Sequence, residues 1–179
     1  MKIALKKELT GSILDIGGGG EGIIGRLYGS RVTAIDNRQE ELDEAPDTCT
    51  KLCMDATALS FADESFDAVT AFYSLLFMTA GEQERAIAEG IRVLRPGGRL
   101  CLWDCAVESA YPNPFVTELD VDLEGELLHT SYGICKLDAQ SRESILSFCL
   151  AKGLTLLTSR QEGIHFYLEL QKSYACLQC

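Results

Sequence analysis

The chain has 179 residues, 46% of them hydrophobic, and carries 16 basic against 27 acidic side chains, a formal net charge of −11. That length supports one hydrophobic core rather than two, and the composition excludes collagen-like and low-complexity disordered chains. The acidic balance, with no run of Lys or Arg, argues against a nucleic-acid partner, because such a surface repels phosphate backbones.

In chain order, the apolar triplet at residues 3–5 is too short for a secretory signal and is ended by Lys6, Lys7 and Glu8. The longest uncharged stretch, residues 68–81, suits a buried core element and not a membrane span. The expectation is a cytoplasmic protein with no membrane partner. Residues 12–16 form a short apolar run ending in glycines, which reads as a buried strand entering a tight turn. Ile23, Ile24 and Leu27 then follow at helical spacing, closed by Gly29. Residues 31–35 read as a second strand ended by Asp36, and residues 38–45 as a polar helix stopped by Pro46.

A third strand is expected at 51–54, ended by Asp55, and a fourth at 66–73, apolar on both faces as in a covered parallel strand. Thr79 and Glu82 have capping-box spacing ahead of a helix that carries Ala86, Ile87, Gly90, Ile91 and Leu94 on one stripe. Pro96, Gly97 and Gly98 break it, and 99–105 is a fifth strand. Residues 106–137 form a longer connection. It opens with Tyr111-Pro112-Asn113-Pro114, read as a turn, and continues with alternation that predicts an inserted β-hairpin above the sheet. Glu118, Asp120, Asp122, Glu124 and Glu126 alternate and are expected on one solvated strand face. Ser141 caps a helix ended by Gly153, and 154–159 with 164–171 predict a C-terminal antiparallel hairpin. The whole is one domain over 1–179: an α/β fold with a doubly wound, mostly parallel seven-stranded sheet, helices on both faces and right-handed crossovers.

Eight cysteines are present, and only Cys176 and Cys179 have C-x-x-C spacing. Four ligands are usual for a structural zinc site, so no metal is expected and the thiols are read as free.

The segment Leu14-Asp15-Ile16-Gly17-Gly18-Gly19-Gly20-Glu21-Gly22 is the most informative. Glycines between a strand and a helix let the backbone turn sharply and let a ligand approach, and the helix start offers free N–H groups. The segment also satisfies the dinucleotide pattern G-x-G-x-x-G, with Asp36 nineteen residues after Gly17. A carboxylate at Asp36 can accept both hydroxyls of a ribose, and one at Asp55 can accept from an adenine amino group. Local capping turns are the alternative roles for both.

Together these residues resemble the class I S-adenosylmethionine-dependent methyltransferase family. Ile13-Leu14-Asp15-Ile16-Gly17-Gly18-Gly19 is similar to its first motif and Ala34-Ile35-Asp36 to its second. Residues 55–67 resemble its third and fourth motifs in series. Val93-Leu94-Arg95-Pro96-Gly97-Gly98 resembles the turn before its fifth strand. The resemblance implies S-adenosylmethionine as cofactor, held by Asp15, Gly17, Gly18, Gly19, Asp36, Asn37, Asp55, Ala56, Phe72 and Tyr73. Asp15 is implied to sit near the methionine ammonium, where dinucleotide folds usually carry an apolar residue. Glu21 stands where the family commonly has a third glycine; it either points along the helix start or crowds the cofactor.

The expected activity is methyl transfer to a small-molecule acceptor. No fixed catalytic triad is needed, because alignment can supply much of the rate. Tyr73 and Asp104 are the candidates for a catalytic group, with Glu108 and His129 as further bases. Trp103, Asp104 and Tyr111 are expected to line the acceptor pocket. The connection 106–137 is a candidate lid, and an otherwise uncovered site leaves a homodimer open. Two competing readings are a non-catalytic S-adenosylmethionine-binding module and an NAD-dependent oxidoreductase.

Overall fold

All four side chains of strand β2 (Ile13–Ile16) are buried, a state that requires cover on both faces of the sheet. The structure, a computed structural model, describes residues 1–108, 111–136 and 138–174. The Cys176 and Cys179 pair therefore lies outside the described residues. After β2 come α1 (Ile23–Tyr28), β3 (Val32–Asp36), α2 (Gln39–Glu44), β4 (Thr50–Cys53), β5 (Phe66–Phe72), α3 (Ala80–Val93) and β6 (Leu94–Cys105). The C-terminal part adds α4 (Arg142–Ala151), β9 (Leu154–Glu162) and β10 (His165–Lys172).

These strands form a seven-stranded sheet in the order β4-β3-β2-β5-β6-β10-β9. The pairs from β4 to β6 are parallel, and β10 runs antiparallel to both of its neighbours. One face carries the core cluster of α3 and α4, with Ala86, Ile87, Ile145 and Cys149 against Leu14, Val69 and Leu100. The other face carries α1, whose Ile23, Ile24 and Leu27 pack on Ile13, Val32 and Ala68. The doubly wound sheet and the terminal hairpin expected from periodicity are both present.

Because β3 and β4 lie to one side of β2 and β5 and β6 to the other, the chain reverses its winding direction between β2 and β5. Such a reversal opens a crevice at the carboxyl ends of the strands. The reciprocal capping box is formed: Glu82 N–H donates to Thr79 Oγ1 at 3.4 Å, and Thr79 N–H to Glu82 Oε2 at 2.8 Å. It anchors α3 beside that crevice, and such caps contribute about 1 kcal/mol.

The connection after β6 is a hairpin of β7 (Phe115–Leu123) and β8 (Glu126–Ile134). It does not stand alone. Strand β1 (Lys2–Leu5) pairs in parallel with β7, from Lys2 opposite Asp120 to Leu5 opposite Leu123, making a second, three-stranded sheet. Its buried face, with Leu119 and Val121, packs on the α1 side of the main sheet.

Three expectations change in detail. β1 carries too few residues for its alternation to be recognised, and a parallel partner 118 residues away leaves no local sign. Strand β6 starts at Leu94 rather than Arg99; the Pro-Gly-Gly bend lies within extended chain, with Gly97 at φ 78° and the pairing to β5 interrupted there. The acidic row shares a strand face only at Glu118, Asp120 and Asp122, because Glu124 occupies the turn at φ 52° and Glu126 opens β8. Lys2–Asp122 and Lys7–Glu124 ion pairs and a His129–Asp120 contact occupy these carboxylates.

Candidate functional site

The crevice at the strand ends is a cleft of about 780 Å³. Four turns build it: residues 17–21 after β2, 36–38 after β3, 54–57 after β4 and 72–74 after β5. Asp15, Gly17, Gly18, Gly19, Asp36, Asn37, Asp55, Ala56, Phe72 and Tyr73 all line it, so residues spread over 59 positions meet at one place. Seven carboxylates line the cleft against one guanidinium, that of Arg38. Such a cleft attracts cations and disfavours anions.

Asp15 is the unusual group. It lies in the central strand, opposite Thr70 of β5 in the parallel register, and Thr70 Oγ1 donates to its Oδ1 at 2.7 Å. Its Oδ2 is turned towards Gly18, where a Cβ would lie 2.6 Å away, and it has no protein donor among the described residues. Burial pushes the Asp15 carboxyl up to about 7; the Thr70 hydrogen bond opposes this, and the Asp36 charge adds to it. A buried carboxylate without a cation is costly, and a cationic group in the cleft would relieve it.

The glycines serve close packing first. A Cβ on Gly17 would meet Ser74 Cβ at 2.4 Å, and one on Gly19 would meet Glu41 Cβ at 2.5 Å. Gly17 is at φ 70°, a conformation that favours glycine. The amides of Gly17 and Gly18 both donate to Ile35 O, at 2.8 and 3.0 Å, and that of Gly20 to Glu41 O at 2.8 Å. The turn therefore offers fewer free donors than its glycine content suggests, and its contribution is room for close approach.

Asp36 Oδ1 accepts from the Arg38 amide at 3.0 Å, an Asx-type turn that fixes the carboxylate at the end of β3. Asp55 Oδ1 accepts from both the amide and the hydroxyl of Thr57 at 2.8 Å, and these donors hold its carboxyl below the usual range. Both carboxylates cap local turns and line the cleft as well, so the two roles considered for each coexist.

Phe72 and Tyr73 form the wall at the tip of β5. Tyr73 is at φ 49°, outside the regions that residues with a Cβ favour. Its ring stacks on Tyr132 of β8, with centroids 5.1 Å apart and planes 11° apart. Its hydroxyl meets His165 Nδ1 at 2.7 Å. Ser131, Tyr132 and Gly133 bring the hairpin into the cleft wall. Glu21 hydrogen-bonds the Thr130 hydroxyl, joining the glycine turn to the hairpin. Glu21 thus lines the cleft and also fastens the segment above it.

Asp104 requires a correction. It is 0% exposed and does not line the cleft. Its oxygens accept from the Leu76 amide at 3.2 Å, the Cys105 amide at 2.8 Å and Gln140 Nε2 at 2.6 Å. Burial raises its carboxyl to about 6 against these donors. Trp103 stacks on Tyr167, 4.7 Å between centroids, and faces a second cleft of about 590 Å³. Tyr111 is 65% exposed and lines neither cleft. Glu108 and His129 are also exposed and away from both. The tip of β6 points its side chains into the core and the second cleft, which the position of a strand end in sequence does not specify. Thr130, Tyr132 and His165 went unrecognised in the sequence, since each meets the site only through contacts across 59 to 109 positions.

Residues 14–102 match the family model described as Methyltransferase domain. The chain is 30% identical over 148 residues to a phosphatidylethanolamine N-methyltransferase of Cereibacter sphaeroides, covering 76% of this chain and 71% of that protein. It is 37% identical over 101 residues to a ubiquinone/menaquinone biosynthesis C-methyltransferase of Paracoccus denitrificans, covering 49% of this chain and 40% of that one. The crystal structure of a SAM-dependent methyltransferase from Methanosarcina mazei superposes with a TM-score of 0.65 at 21% identity, over 92% of this chain and 94% of that one. The chain spans less than two thirds of the length of several curated relatives it matches. Among the described residues, no helix is long and apolar enough to cross a membrane.

Proposed function

The chain belongs to the class I S-adenosylmethionine-dependent methyltransferase family, and from that premise we propose that it methylates a small-molecule acceptor in the cleft between the glycine turn and the β7–β8 hairpin. The observation that carries this reading is Asp15: a carboxylate only 2% exposed that lines the cleft, with one oxygen lacking a protein donor among the described residues, beside a glycine turn, in a cleft rich in carboxylates. Those residues fit a ligand with an ammonium and a sulfonium.

When bound, S-adenosylmethionine supplies an electrophilic methyl group on a positively charged sulfur. Asp15 would hold the ammonium, and Gly17, Gly18 and Gly19 would allow the chain to close around the methionine part. Asp36, with Asn37, would accept the ribose hydroxyls, and Asp55 and Ala56 would contact the adenine. Phe72 and Tyr73 would border the methyl group, where alignment of the acceptor contributes several kcal/mol. The hairpin β7–β8, fastened through Thr130 to Glu21 and through Tyr132 to Tyr73, would act as the lid that excludes water.

Thermal unfolding with S-adenosylmethionine, S-adenosylhomocysteine and NAD in parallel tests the reading. A ligand at about a hundred times its Kd stabilises by about 2.7 kcal/mol, several degrees for a domain of this size. The expected result is a rise with both S-adenosyl compounds and none with NAD. A rise with NAD alone overturns the cofactor assignment.

A further inference from the structure

The wall between the two clefts is one hydrogen bond thick. Tyr73 lines the glycine-turn cleft and His165 the second, and Tyr73 Oη and His165 Nδ1 lie 2.7 Å apart. Tyr73 is 1% exposed, pinned by Phe72 on one side and Tyr132 on the other. Its backbone is held at φ 49°, a conformation that persists only where the surroundings impose it. His165 opens β10 opposite Cys105 of β6 and Glu162 of β9. Its Nε2 has no hydrogen-bond partner among the described residues. A phenol at the proposed methyl-transfer position is thus connected through an imidazole to the second cleft.

Resting on the cofactor reading above, we propose that Tyr73 and His165 are the proton outlet of the methyl-transfer site, and that the acceptor is a small molecule whose nucleophilic atom loses a proton as it is methylated. Tyr73 is the group that meets the acceptor. His165 is the positioning residue that orients the phenol and takes up its proton. As the acceptor's lone pair forms the new bond to carbon, its own bond to hydrogen breaks and that proton passes to Tyr73 Oη. The phenolic proton of Tyr73 passes to His165 Nδ1. The imidazolium so formed releases the Nε2 proton to water in the second cleft, and the neutral ring is restored by tautomer exchange.

The surroundings set the resting protonation states. Burial raises the Tyr73 hydroxyl above its ordinary value, so the phenol does not rest as a phenolate and gives up its own proton only as it gains the acceptor's. Burial lowers His165, and the amino terminus of Met1 acts in the same sense while Glu162 opposes it. The neutral ring is therefore the resting form, free to accept at Nδ1. The other titratable groups around the pair are Asp104 and Cys105 of β6 and Tyr132 of β8, all of which raise Tyr73.

The chain has two histidines, so proton NMR of the imidazole Cε1–H signals follows His165 against His129 as an internal control, with His129→Gln for assignment. The full chain is titrated when saturated with S-adenosylmethionine and, separately, with S-adenosylhomocysteine, which keeps the ammonium but lacks the sulfonium charge. The expected result is that His165 titrates at lower pH in the S-adenosylmethionine complex, that His129 does not change, and that Tyr73→Phe abolishes the difference. Identical His165 titrations in the two complexes overturn the proposal, as does a difference that survives in Tyr73→Phe. Absence of binding by either compound in calorimetry is separately visible; it removes the cofactor reading and the outlet with it.

Discussion

Asp15 couples ligand binding to folding. Its carboxyl, raised by burial to about 7 from a usual value near 3.8, takes up a proton on folding at any pH between the two. Its contribution to stability is therefore greatest at acid pH, falls as pH rises towards about 7, and stays unfavourable above. Asp15→Asn removes the buried charge and keeps a partner for Thr70. Urea unfolding of the ligand-free protein at pH 8 should show the variant more stable by roughly 1–3 kcal/mol, with a smaller gain at pH 5; a variant less stable at pH 8 would contradict the burial argument. The same variant should bind S-adenosylmethionine at least tenfold more weakly, since the ammonium loses its counter-charge. Asp36→Ala should also cost tenfold or more in calorimetric affinity without unfolding the domain, because Asp36 is the last residue of β3 and only half-buried. Unchanged affinity would show that the ribose lies elsewhere. The sequence made both carboxylates visible, because Asp15 interrupts an apolar strand just before the glycines and Asp36 ends the next strand. The environment that raises Asp15 arises from the central position of β2, paired with β3 and β5, while Asp36 at the end of β3 stays half-buried.

Among the elements, the hairpin β7–β8 forms one wall of the cleft through Ser131, Tyr132 and Gly133. Its attachment has two parts: the Glu21–Thr130 hydrogen bond and the Tyr73–Tyr132 stack. An aromatic pair of this kind is worth about 0.5–1.5 kcal/mol beyond its buried area. Tyr132→Ala should therefore speed S-adenosylmethionine dissociation by roughly two- to tenfold, measured by stopped-flow fluorescence. The hairpin itself should stay folded, since β1 pairs along β7 and Leu119 and Val121 remain buried. A dissociation rate equal to that of the unaltered chain would mean that the hairpin does not cover the bound ligand. Alternation along residues 115–134 was enough to foresee a hairpin, because side-chain direction in a strand follows a period of two. What it rests on was not legible: the partners of Thr130 and Tyr132 lie 109 and 59 positions away.

At the scale of the whole molecule, a buried polar network joins the segment after the hairpin to the main sheet. Lys136 Nζ donates to Gln140 Oε1 at 2.8 Å, and Gln140 Nε2 donates to Asp104 Oδ1 at 2.6 Å. Gln83 of α3 donates to the Leu75 carbonyl at 2.7 Å and to Gln140. Burial lowers Lys136 while the nearby carboxylates oppose that shift. Asp104→Ala leaves Lys136 and Gln140 without their counterpart and should destabilise by about 3–5 kcal/mol in urea unfolding, making the effect one of folding and not of catalysis. A loss below about 1 kcal/mol, within the range of ordinary surface substitutions, would mean that the network does not hold these segments together. The sequence by itself determined the order of the main-sheet strands and their helices, the winding of that sheet and the acidic residues at its strand tips, because period, glycine and proline act through local sterics. Only the tertiary structure decided that Asp104 is a core anchor, that Glu21 fastens the β7–β8 hairpin and that Tyr73 meets His165. Those outcomes depend on which distant segments the packed sheet brings within hydrogen-bonding distance, and no local pattern carries that information.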